Sequence, residues 1–342
     1  MLMTKEEYRN WINGKLRINQ EMLCLTQSEV RSIGLTEDQI IEYTEKAMIE
    51  YSKRSVEMPA KIGLHPLRDT LMHAMPAYIP EQFSCGLKWA SCFPENRTKY
   101  GYSQTTGILI LNDHLSGSPI CLMDAVYITE VRTAAVAIAA AKKLANLKAK
   151  TFGMVGAGVQ GNMHVKLIEK ALPELEKIYV IDVYEQAVDS LIERQQSHVK
   201  AKIIKTSSYE QIAKCDVVCS AAIITQKPDP KFKNEWFGKG QTIISSDCHT
   251  FYEDATMKRA DKYLLDSIAQ HELLVGYGYY PWGLPTIYGE TGEVLGGLKK
   301  GRENQSELIV CNNVGMAVED MMIARKIFDI ALEKGIGRTI PL

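Results

Sequence analysis

A glycine-rich turn between apolar segments constrains the fold of this chain more than any other stretch. The apolar run 152–155 suits a buried parallel strand, and Gly156, Gly158 and Gly161 follow it in the pattern G-x-G-x-x-G. Over 162–171, apolar residues recur at helical spacing. A strand, a glycine turn and a helix in this order predict the first unit of a doubly wound parallel sheet.

The same glycines predict a site for a dinucleotide. Gly156 permits the tight turn, Gly158 lets the backbone approach a pyrophosphate, and Gly161 lets the helix pack closely on the strand. The helix N-terminus offers N–H groups to the phosphates. A second strand, 178–181, ends in Asp182, about 20 residues beyond Gly161. Its carboxylate can accept hydrogen bonds from a ribose 2′-hydroxyl and would repel a 2′-phosphate, which predicts NAD in preference to NADP.

Composition excludes several classes of protein. The chain has 342 residues, 46% hydrophobic and 24% charged, with a formal net charge of −1. This balance is that of a globular protein, and it argues against nucleic acid or an anionic membrane as the main partner. No apolar run approaches the roughly 18 residues of a membrane span. The eight cysteines lack C-x-x-C spacing and the seven histidines lack paired-ligand spacing, so we expect reduced thiols, a cytoplasmic protein and no metal site.

Two domains are predicted, and together they place the chain in the α/β class. Residues 1–130, with about 306–342, form an α+β domain, and residues 131–305 form a Rossmann-type domain. Turn residues separate short apolar segments in the first domain, which predicts an antiparallel sheet. These segments are 71–75, 85–89, 107–111 and 120–123. A long alanine-rich helix is predicted from Arg132 to about Leu147.

Strands and helices are predicted to alternate beyond Asp182, which implies a parallel sheet. The further strands, ending with the last one, are 202–204, 216–221, 242–245 and 263–265. Residues 272–301 are rich in Gly, Tyr and Pro and are predicted to be irregular. The segment 313–334 is predicted to be an amphipathic helix.

Six stretches, spread from about Met22 to Gly337, resemble the ornithine cyclodeaminase/mu-crystallin family. They are LKWASCFPENR (87–97), TGILILNDHLSGSPICLMD (106–124), EVRTAAVA (130–137), VGAGVQG (155–161), SSDCHTFYED (245–254) and VGMAVEDMMIA (314–324). The resemblance implies NAD(P)-dependent chemistry on an α-amino acid or its imine. It also implies a homodimer built through the sheet of the first domain. The first domain would bind the substrate as well.

The resemblance implies which residues hold the substrate. Hydride transfer at Cα requires a clamped carboxylate. The family's cationic clamp falls on Lys61, Lys88 and Arg132, and Lys88 is also a candidate catalytic residue; the alternative is that these are surface charges. Asp247 follows a buried strand and matches the family's catalytic aspartate, which accepts hydrogen bonds from the substrate amine and can take its proton. The alternative is an ordinary loop aspartate or helix cap. The predicted cofactor-binding residues are Gly156, Gly158, Val159, Gln160, Gly161, Asp182, Arg132 and Ser220.

Two departures from the family pattern bear on the reaction. Ornithine cyclodeaminases carry a glutamate two residues before the Met-Pro that is here Met75-Pro76, and this chain has His73. A neutral histidine is a poorer partner than a carboxylate for a cationic amine. The family's Gly-Lys-Thr-Glu after the aspartate is replaced at 250–253. His73 is either a substrate contact or a plain strand residue, and 277–288 either lines the substrate pocket or is packed loop.

Three functions are compatible with these residues. The first is an NAD-dependent α-amino acid dehydrogenase or imine reductase. The second is an ornithine cyclodeaminase-type ammonia-lyase, which recycles its NAD. The third is a nonenzymatic nucleotide- and ligand-binding protein like some mu-crystallins. The combination of Asp247 with the cationic clamp favours an enzyme and, together with His73, the first function.

Overall fold

The computed structural model describes residues 3–342 and divides into two compact units. The first unit comprises the chain up to Arg132 together with Met316–Leu342, and the second comprises Thr133–Gly315. In the described residues the helices are α1 Lys5–Asn13, α2 Gln27–Ser32, α3 Glu37–Ser52, α4 Asn96–Lys99, α5 Val126–Leu144, α6 Val159–Leu167, α7 Glu185–Gln195, α8 Tyr209–Ala213, α9 Asp254–Lys258, α10 Ile268–Gly276, α11 Thr291–Leu295 and α12 Ala317–Lys334. The strands are β1 Glu21–Leu25, β2 Ile62–Leu64, β3 Leu71–Ile79, β4 Ser84–Cys92, β5 Thr105–Asn112, β6 Pro119–Asp124, β7 Thr151–Val155, β8 Lys177–Ile181, β9 Lys202–Lys205, β10 Val217–Ser220, β11 Thr242–Ser245, β12 Lys262–Leu265, β13 Gly289–Glu290, β14 Ile309–Asn312 and β15 Arg338–Pro341.

A seven-stranded sheet forms the first unit, in the order β15-β1-β6-β5-β4-β3-β2. Strands β2 to β6 pair antiparallel, as the alternating sequence pattern predicts, while β1 joins β6 in parallel. Strand β15 pairs with β1 and was not predicted. Helix α12 packs against β3, β4 and α3, so one face of the sheet is buried beneath it.

The strand register decides which side chains enter this core. Because directly opposed residues point to the same face, the row Met75, Lys88 and Leu109 lies on the buried side. The neighbouring row, which includes Ile62, Trp89 and Ile108, lies on the opposite side. A lysine therefore occupies a core position in the middle of β4, where its charge needs a partner.

Helix α1 is a packed element of the first unit. Thr4 forms a capping box with Glu7 at the start of α1, and Tyr8 and Ile12 are buried. Tyr8 donates a hydrogen bond to Asp329 of α12 at 3.0 Å. Helix α1 is thereby fixed to the C-terminal helix.

Eight parallel strands form the sheet of the second unit, in the order β13-β12-β14-β11-β10-β7-β8-β9. This confirms the predicted doubly wound, Rossmann-type sheet. The prediction that 263–265 is the last strand was wrong, because β14 lies between β11 and β12. The sheet thus continues past the boundary predicted at about residue 305, and the division between the units falls at Gly315.

Three other expectations need correction. Helix α5 begins at Val126 rather than Arg132, because the Asp124 carboxylate accepts a hydrogen bond from the Val126 N–H at 3.0 Å and starts the helix. The stretch 272–301 is not wholly irregular, since Ser267 caps α10 and a capping box between Glu290 and Glu293 starts α11. Helix α12 begins at Ala317 rather than at residue 313, after Gly315 in the left-handed conformation.

Within residues 3–342, none of the helices has both the length and the apolar character needed to cross a membrane. All eight cysteines are free thiols, and five of them are buried.

Candidate active site and cofactor loop

The glycine turn lies at the point where the parallel sheet changes direction. From β7 the chain builds β8 and β9 on one side, and then crosses to build β10 and β11 on the other. In such sheets the ligand binds beyond the carboxyl ends of the strands at this switch point. Val155, Ser220, Ser245 and Asn312 are register partners at the ends of four adjacent strands, and they define this edge.

The three glycines of the turn differ in the physical reason for which a side chain would be excluded at each position. Gly156 has φ +99°, a conformation that side chains rarely adopt. A Cβ on Gly161 would stand 1.9 Å from the Gly156 carbonyl oxygen, so the helix could not approach the turn. A Cβ on Gly158 would meet nothing within 4 Å. Protein packing therefore does not require a glycine at this position, whereas a pyrophosphate lying against the backbone would.

Replacing Gly158 by alanine is therefore a test of the loop as a dinucleotide site. We expect the thermal stability to stay unchanged. The binding free energy of NADH should become less favourable by about 1–3 kcal/mol, because the added methyl group would occupy the space that the pyrophosphate needs. Binding can be measured by titration calorimetry. Gly161→Ala is the contrasting variant, because its methyl group overlaps the backbone and should lower stability as well. Unchanged NADH affinity in Gly158→Ala would place the pyrophosphate elsewhere.

Asp182 holds the glycine loop in place, and its contact with a ribose stays a prediction. Its Oδ2 accepts a hydrogen bond from the Ala157 N–H at 2.7 Å, and its Oδ1 accepts one from the Tyr184 N–H at 2.9 Å. The carboxylate therefore fixes the glycine turn before any ligand is present. Val159 and Gln160 begin α6 directly after Gly158, where the helix N-terminus presents its N–H groups. Their role as cofactor contacts stays a prediction.

Asp247 lies two residues beyond the end of β11, at the same edge of the sheet. It is fully buried, and its Oδ1 accepts a hydrogen bond from Ser245 Oγ at 2.8 Å. Burial raises the pKa of Asp247 to about 6, while contacts with Ser245, Ser220 and the Ala222 N–H oppose the increase. A carboxyl group with this pKa can both accept and donate a proton near neutral pH.

The turn after Asp247 has an unusual backbone. Cys248 and His249 both have left-handed φ angles, +52° and +63°, although neither is a glycine. Thr250 Oγ1 donates to the Asp247 carbonyl oxygen at 2.6 Å, and His249 Nε2 lies 2.8 Å from the Tyr263 hydroxyl. These contacts hold the turn that directs the Asp247 side chain.

Ser220, predicted as a cofactor contact, lies beside Asp247. Its hydroxyl accepts a hydrogen bond from Tyr252 at 3.1 Å and contributes to lowering the pKa of Asp247. The structure therefore places Ser220 at the candidate catalytic carboxylate, and its contact with the cofactor stays a prediction.

A buried charge cluster occupies the core of the first unit. Lys88 Nζ lies 2.6 Å from Asp320 Oδ2, and the side chains of both residues are at most 1% exposed. Arg132 Nε lies 3.2 Å from Asp320 Oδ1, and Arg132 Nη1 lies 3.5 Å from Glu319 Oε2. Lys88 also donates to Thr129 Oγ1 at 3.4 Å. Lys88 and Arg132 are thus not surface charges, and α12 supplies the acids that stabilise them.

Burial lowers the pKa of Lys88 to about 8, and the charge of Asp320 opposes the decrease. Glu319 and Asp320 are the members of this charge cluster that the sequence did not predict, although they lie in the VGMAVEDMMIA stretch. A signal was present: two acids stand in the first turn of a helix whose other residues there are apolar. Which cation they would meet depends on long-range packing.

His73 and Lys61 lie in the same unit, and both are buried. Burial, helped by the charge of Lys61 and less strongly by His65 and Lys88, lowers the pKa of His73 to about 3, so the imidazole is neutral. His73 Nε2 has no hydrogen-bond partner among residues 3–342. A Cβ on Gly63, the register partner of His73, would stand 2.5 Å from the ring. The ring therefore needs this glycine opposite it.

Two features lie at the same strand ends: the glycine loop at the switch point, which is followed by Asp182, and the buried carboxylate of Asp247. Together they define a dinucleotide-dependent enzyme. The pattern of the ornithine cyclodeaminase/mu-crystallin family matches residues 20–335. The chain belongs to this family, and the predicted resemblance is confirmed.

Known relatives agree with this assignment over nearly the whole chain. Nodulation efficiency protein NfeD of Rhizobium meliloti is 35% identical over 286 residues, which cover 83% of this chain and 87% of that protein. Thermococcus litoralis Delta(1)-pyrroline-2-carboxylate reductase, solved with NADH and L-proline, is 26% identical with a TM-score of 0.82, and the match covers 93% of this chain and 100% of that one. An archaeal alanine dehydrogenase, solved as a dimer with bound NAD, is 28% identical with a TM-score of 0.83, covering 94% and 99%. Both solved relatives support the prediction of NAD as the cofactor.

Proposed function

We propose that this protein is an NAD-dependent oxidoreductase that acts on an α-amino acid, or on the corresponding imine or keto acid, by hydride transfer at Cα. The observation that carries the proposal is the buried Asp247, with a pKa of about 6, at the sheet edge that also holds the glycine loop. The two solved relatives, which carry NADH with L-proline and NAD, support both the cofactor and the substrate class.

The residues of this chain divide the task. NAD, when bound, supplies the hydride acceptor or donor. Asp247 accepts the proton of the substrate amine during oxidation and returns it during reduction. Lys88 and Arg132 bind the substrate carboxylate, and Asp320 holds both cations in place before the substrate arrives. The neutral His73 contacts the substrate side chain, which disfavours a cationic amine such as that of ornithine.

The test is a screen of amino acids, keto acids with amines, and cyclic imines. Each reaction is monitored through the absorbance of NADH or NADPH. We expect a net change in NADH with at least one substrate, and a weaker response with NADPH because Asp182 repels a 2′-phosphate. Ammonia release and ring closure without net change in NADH would identify a cyclodeaminase instead. NADH binding without turnover of any compound would favour a nonenzymatic binding protein. Equal rates with both cofactors would contradict the role given to Asp182.

The pH dependence follows from the two perturbed groups. In the oxidative direction Asp247 must be ionised to accept a proton, so the rate should fall as pH drops through about 6. Lys88 must be charged to hold a carboxylate, so kcat/KM should fall as pH rises through about 8. The expected profile of kcat/KM is a bell between these values. A carboxylic acid that lacks an amine needs only the cationic clamp, so the pH dependence of its inhibition constant isolates the alkaline limb of the profile. An inhibition constant that does not change with pH would exclude Lys88 as the source of that limb.

A homodimer completes the proposal. The sheet face opposite α12 exposes apolar side chains, with Ile62 66% exposed and Ile108 45% exposed, and both lie in one register row with Trp89. An apolar face of this kind is typical of a protein interface. Sedimentation equilibrium should give a dimer for the parent protein and a monomer for Ile108→Lys. A monomeric parent protein would contradict the proposal.

A further inference from the structure

The Asp247 carboxylate stands at the end of a hydrogen-bonded chain that reaches across the sheet. Ser245 Oγ donates to Asp247 Oδ1 at 2.8 Å. Asn312, the register partner of Ser245 on the neighbouring strand β14, donates from Nδ2 to Ser245 Oγ at 3.3 Å. All three side chains are fully buried. Asp247 is thereby connected to a strand that supplies none of the predicted site residues.

The neighbours of Asn312 fix the orientation of its amide. Asn312 Oδ1 lies 2.9 Å from His271 Nε2 and accepts a hydrogen bond from the Tyr280 hydroxyl at 3.3 Å. Because the Tyr280 hydroxyl donates to its oxygen, the NH₂ group of Asn312 faces Ser245. The hydroxyl of Ser245 then receives one hydrogen bond and has its own hydrogen left for Asp247.

The His271 ring is itself held in place. Its Nδ1 lies 2.9 Å from the Ser267 carbonyl oxygen and 3.4 Å from Asp266 Oδ1. Asp266 in turn accepts a hydrogen bond from the Gly315 N–H at 2.6 Å. Both ring nitrogens therefore face oxygen atoms, and the ring has no freedom to turn away from Asn312.

We propose that Asn312 is a positioning residue, which directs the hydroxyl of Ser245 toward the Asp247 carboxylate. The proposal rests on the proposed function, because that function gives Asp247 its role in proton transfer. A hydrogen bond to an ionised carboxylate stabilises the charged form. Without this donor, a fully buried Asp247 would keep its proton to higher pH and would be a poorer base for amino acid oxidation near neutral pH.

Three ionisable groups near Asp247 do not titrate in the same range. Burial raises the pKa of Cys219 on β10 and of Tyr252 well above their usual values, and the charge of Asp247 adds to both shifts. Burial lowers the pKa of His249 to about 3. These three groups therefore do not account for a titration near pH 6 at the Asp247 carboxyl group.

The test follows the Asp247 carboxyl carbon by NMR in the full-length protein labelled with ¹³C-aspartate, the signal being assigned by its loss in Asp247→Asn. Ser245→Ala and Asn312→Leu are each expected to raise the titration midpoint by about one pH unit, the size of one hydrogen bond to a charged group. Ser245→Thr retains the hydroxyl and should leave the midpoint in place. In the Ser245→Ala background, Asn312→Leu should add no further shift, because Asn312 acts through Ser245.

A matched control is the neighbouring amide. Asn313 Oδ1 accepts hydrogen bonds from Thr291 and Cys311, and in the described part of the chain Asn313 is hydrogen-bonded to Ser245 through its backbone N–H alone. Asn313→Leu makes the same chemical change one residue further on, and the Asp247 midpoint should stay where it is. An equal shift of the Asp247 midpoint in Asn313→Leu would show that any loss of a buried amide nearby has this effect. That result would overturn the proposal.

Two further outcomes would also overturn it: an unchanged midpoint in Ser245→Ala, or fully additive shifts in the double variant. Ser245→Ala removes a single oxygen atom, so it keeps the test available if Asn312→Leu does not fold. The NMR titration needs no substrate. A silent substrate screen would therefore reject the proposed function and leave the midpoint shifts standing, whereas an active enzyme without the shifts would reject the positioning role alone.

Discussion

Asp247→Asn should lower kcat by about 10²–10⁴-fold while leaving the fold and NADH binding intact. Asparagine nearly matches aspartate in size, so the packing of this fully buried position is preserved. It cannot accept a proton, and it cannot balance the positive charge that develops on the substrate nitrogen. The change in KM should be small, because the proposed carboxylate clamp of Lys88 and Arg132 is unaltered.

The measurement compares steady-state kinetics of the two proteins with the substrate that the screen identifies, alongside calorimetric NADH binding as the control. Turnover within a few-fold of the parent would exclude Asp247 as the proton acceptor. His73 would then be a weak replacement, because its pKa of about 3 makes it a poor base, and Lys88 would be the better candidate.

Lys88→Met is the variant with the largest expected effect on stability. It removes the ammonium group that lies 2.6 Å from Asp320 Oδ2 and leaves a buried carboxylate with less compensation. The expected loss in the free energy of unfolding is about 3–5 kcal/mol. Urea denaturation, monitored with a spectroscopic probe in the first unit, measures this loss in the free energy of unfolding.

Two further variants make this result specific. Lys262→Met changes another buried lysine, whose partners are Glu303, 44% exposed, and Glu307, 10% exposed. Glu303 can be hydrated and Glu307 keeps the hydrogen bonds from the Glu303 and Asn304 N–H groups, so a smaller loss is expected. The double variant Lys88→Met/Asp320→Asn removes the carboxylate charge left without Lys88 but keeps an oxygen for Arg132 Nε, and it should recover part of the stability while carboxylate binding stays weak. Equal losses in Lys88→Met and Lys262→Met would show that burial of the pair adds nothing.

Local patterns were sufficient to predict the strand, glycine turn and helix that carry the candidate cofactor residues. The glycine turn, α6 and Asp182 are contiguous in sequence, and each is determined by backbone geometry that one segment carries. The same holds for Asp247, since it follows a short buried strand. The strand β14 was missed because its four residues adjoin the segment predicted as the last helix, and only the sheet shows that they complete it.

The charge cluster could not be predicted in the same way. Lys88, Arg132 and Asp320 come from three elements far apart in sequence, and only strand register and helix packing bring them together. Arg132 was expected at the start of a helix and lies in its interior instead, because Asp124 starts α5 earlier. The sequence indicated that these cations lie in apolar surroundings, but it carried no information about which acids would meet them.

The left-handed pair Cys248 and His249 has a consequence for how this enzyme would respond to selection. Non-glycine residues in this conformation cost about 1–3 kcal/mol each, and the cost is borne beside the residue proposed to exchange protons. Glycine at position 248 would relieve part of that cost, yet it would also loosen the turn that aims Asp247. Because Cys248 is also buried, Cys248→Gly would give up core packing as well as strain, so laboratory evolution for turnover should reject it and the strained backbone should persist at this one codon.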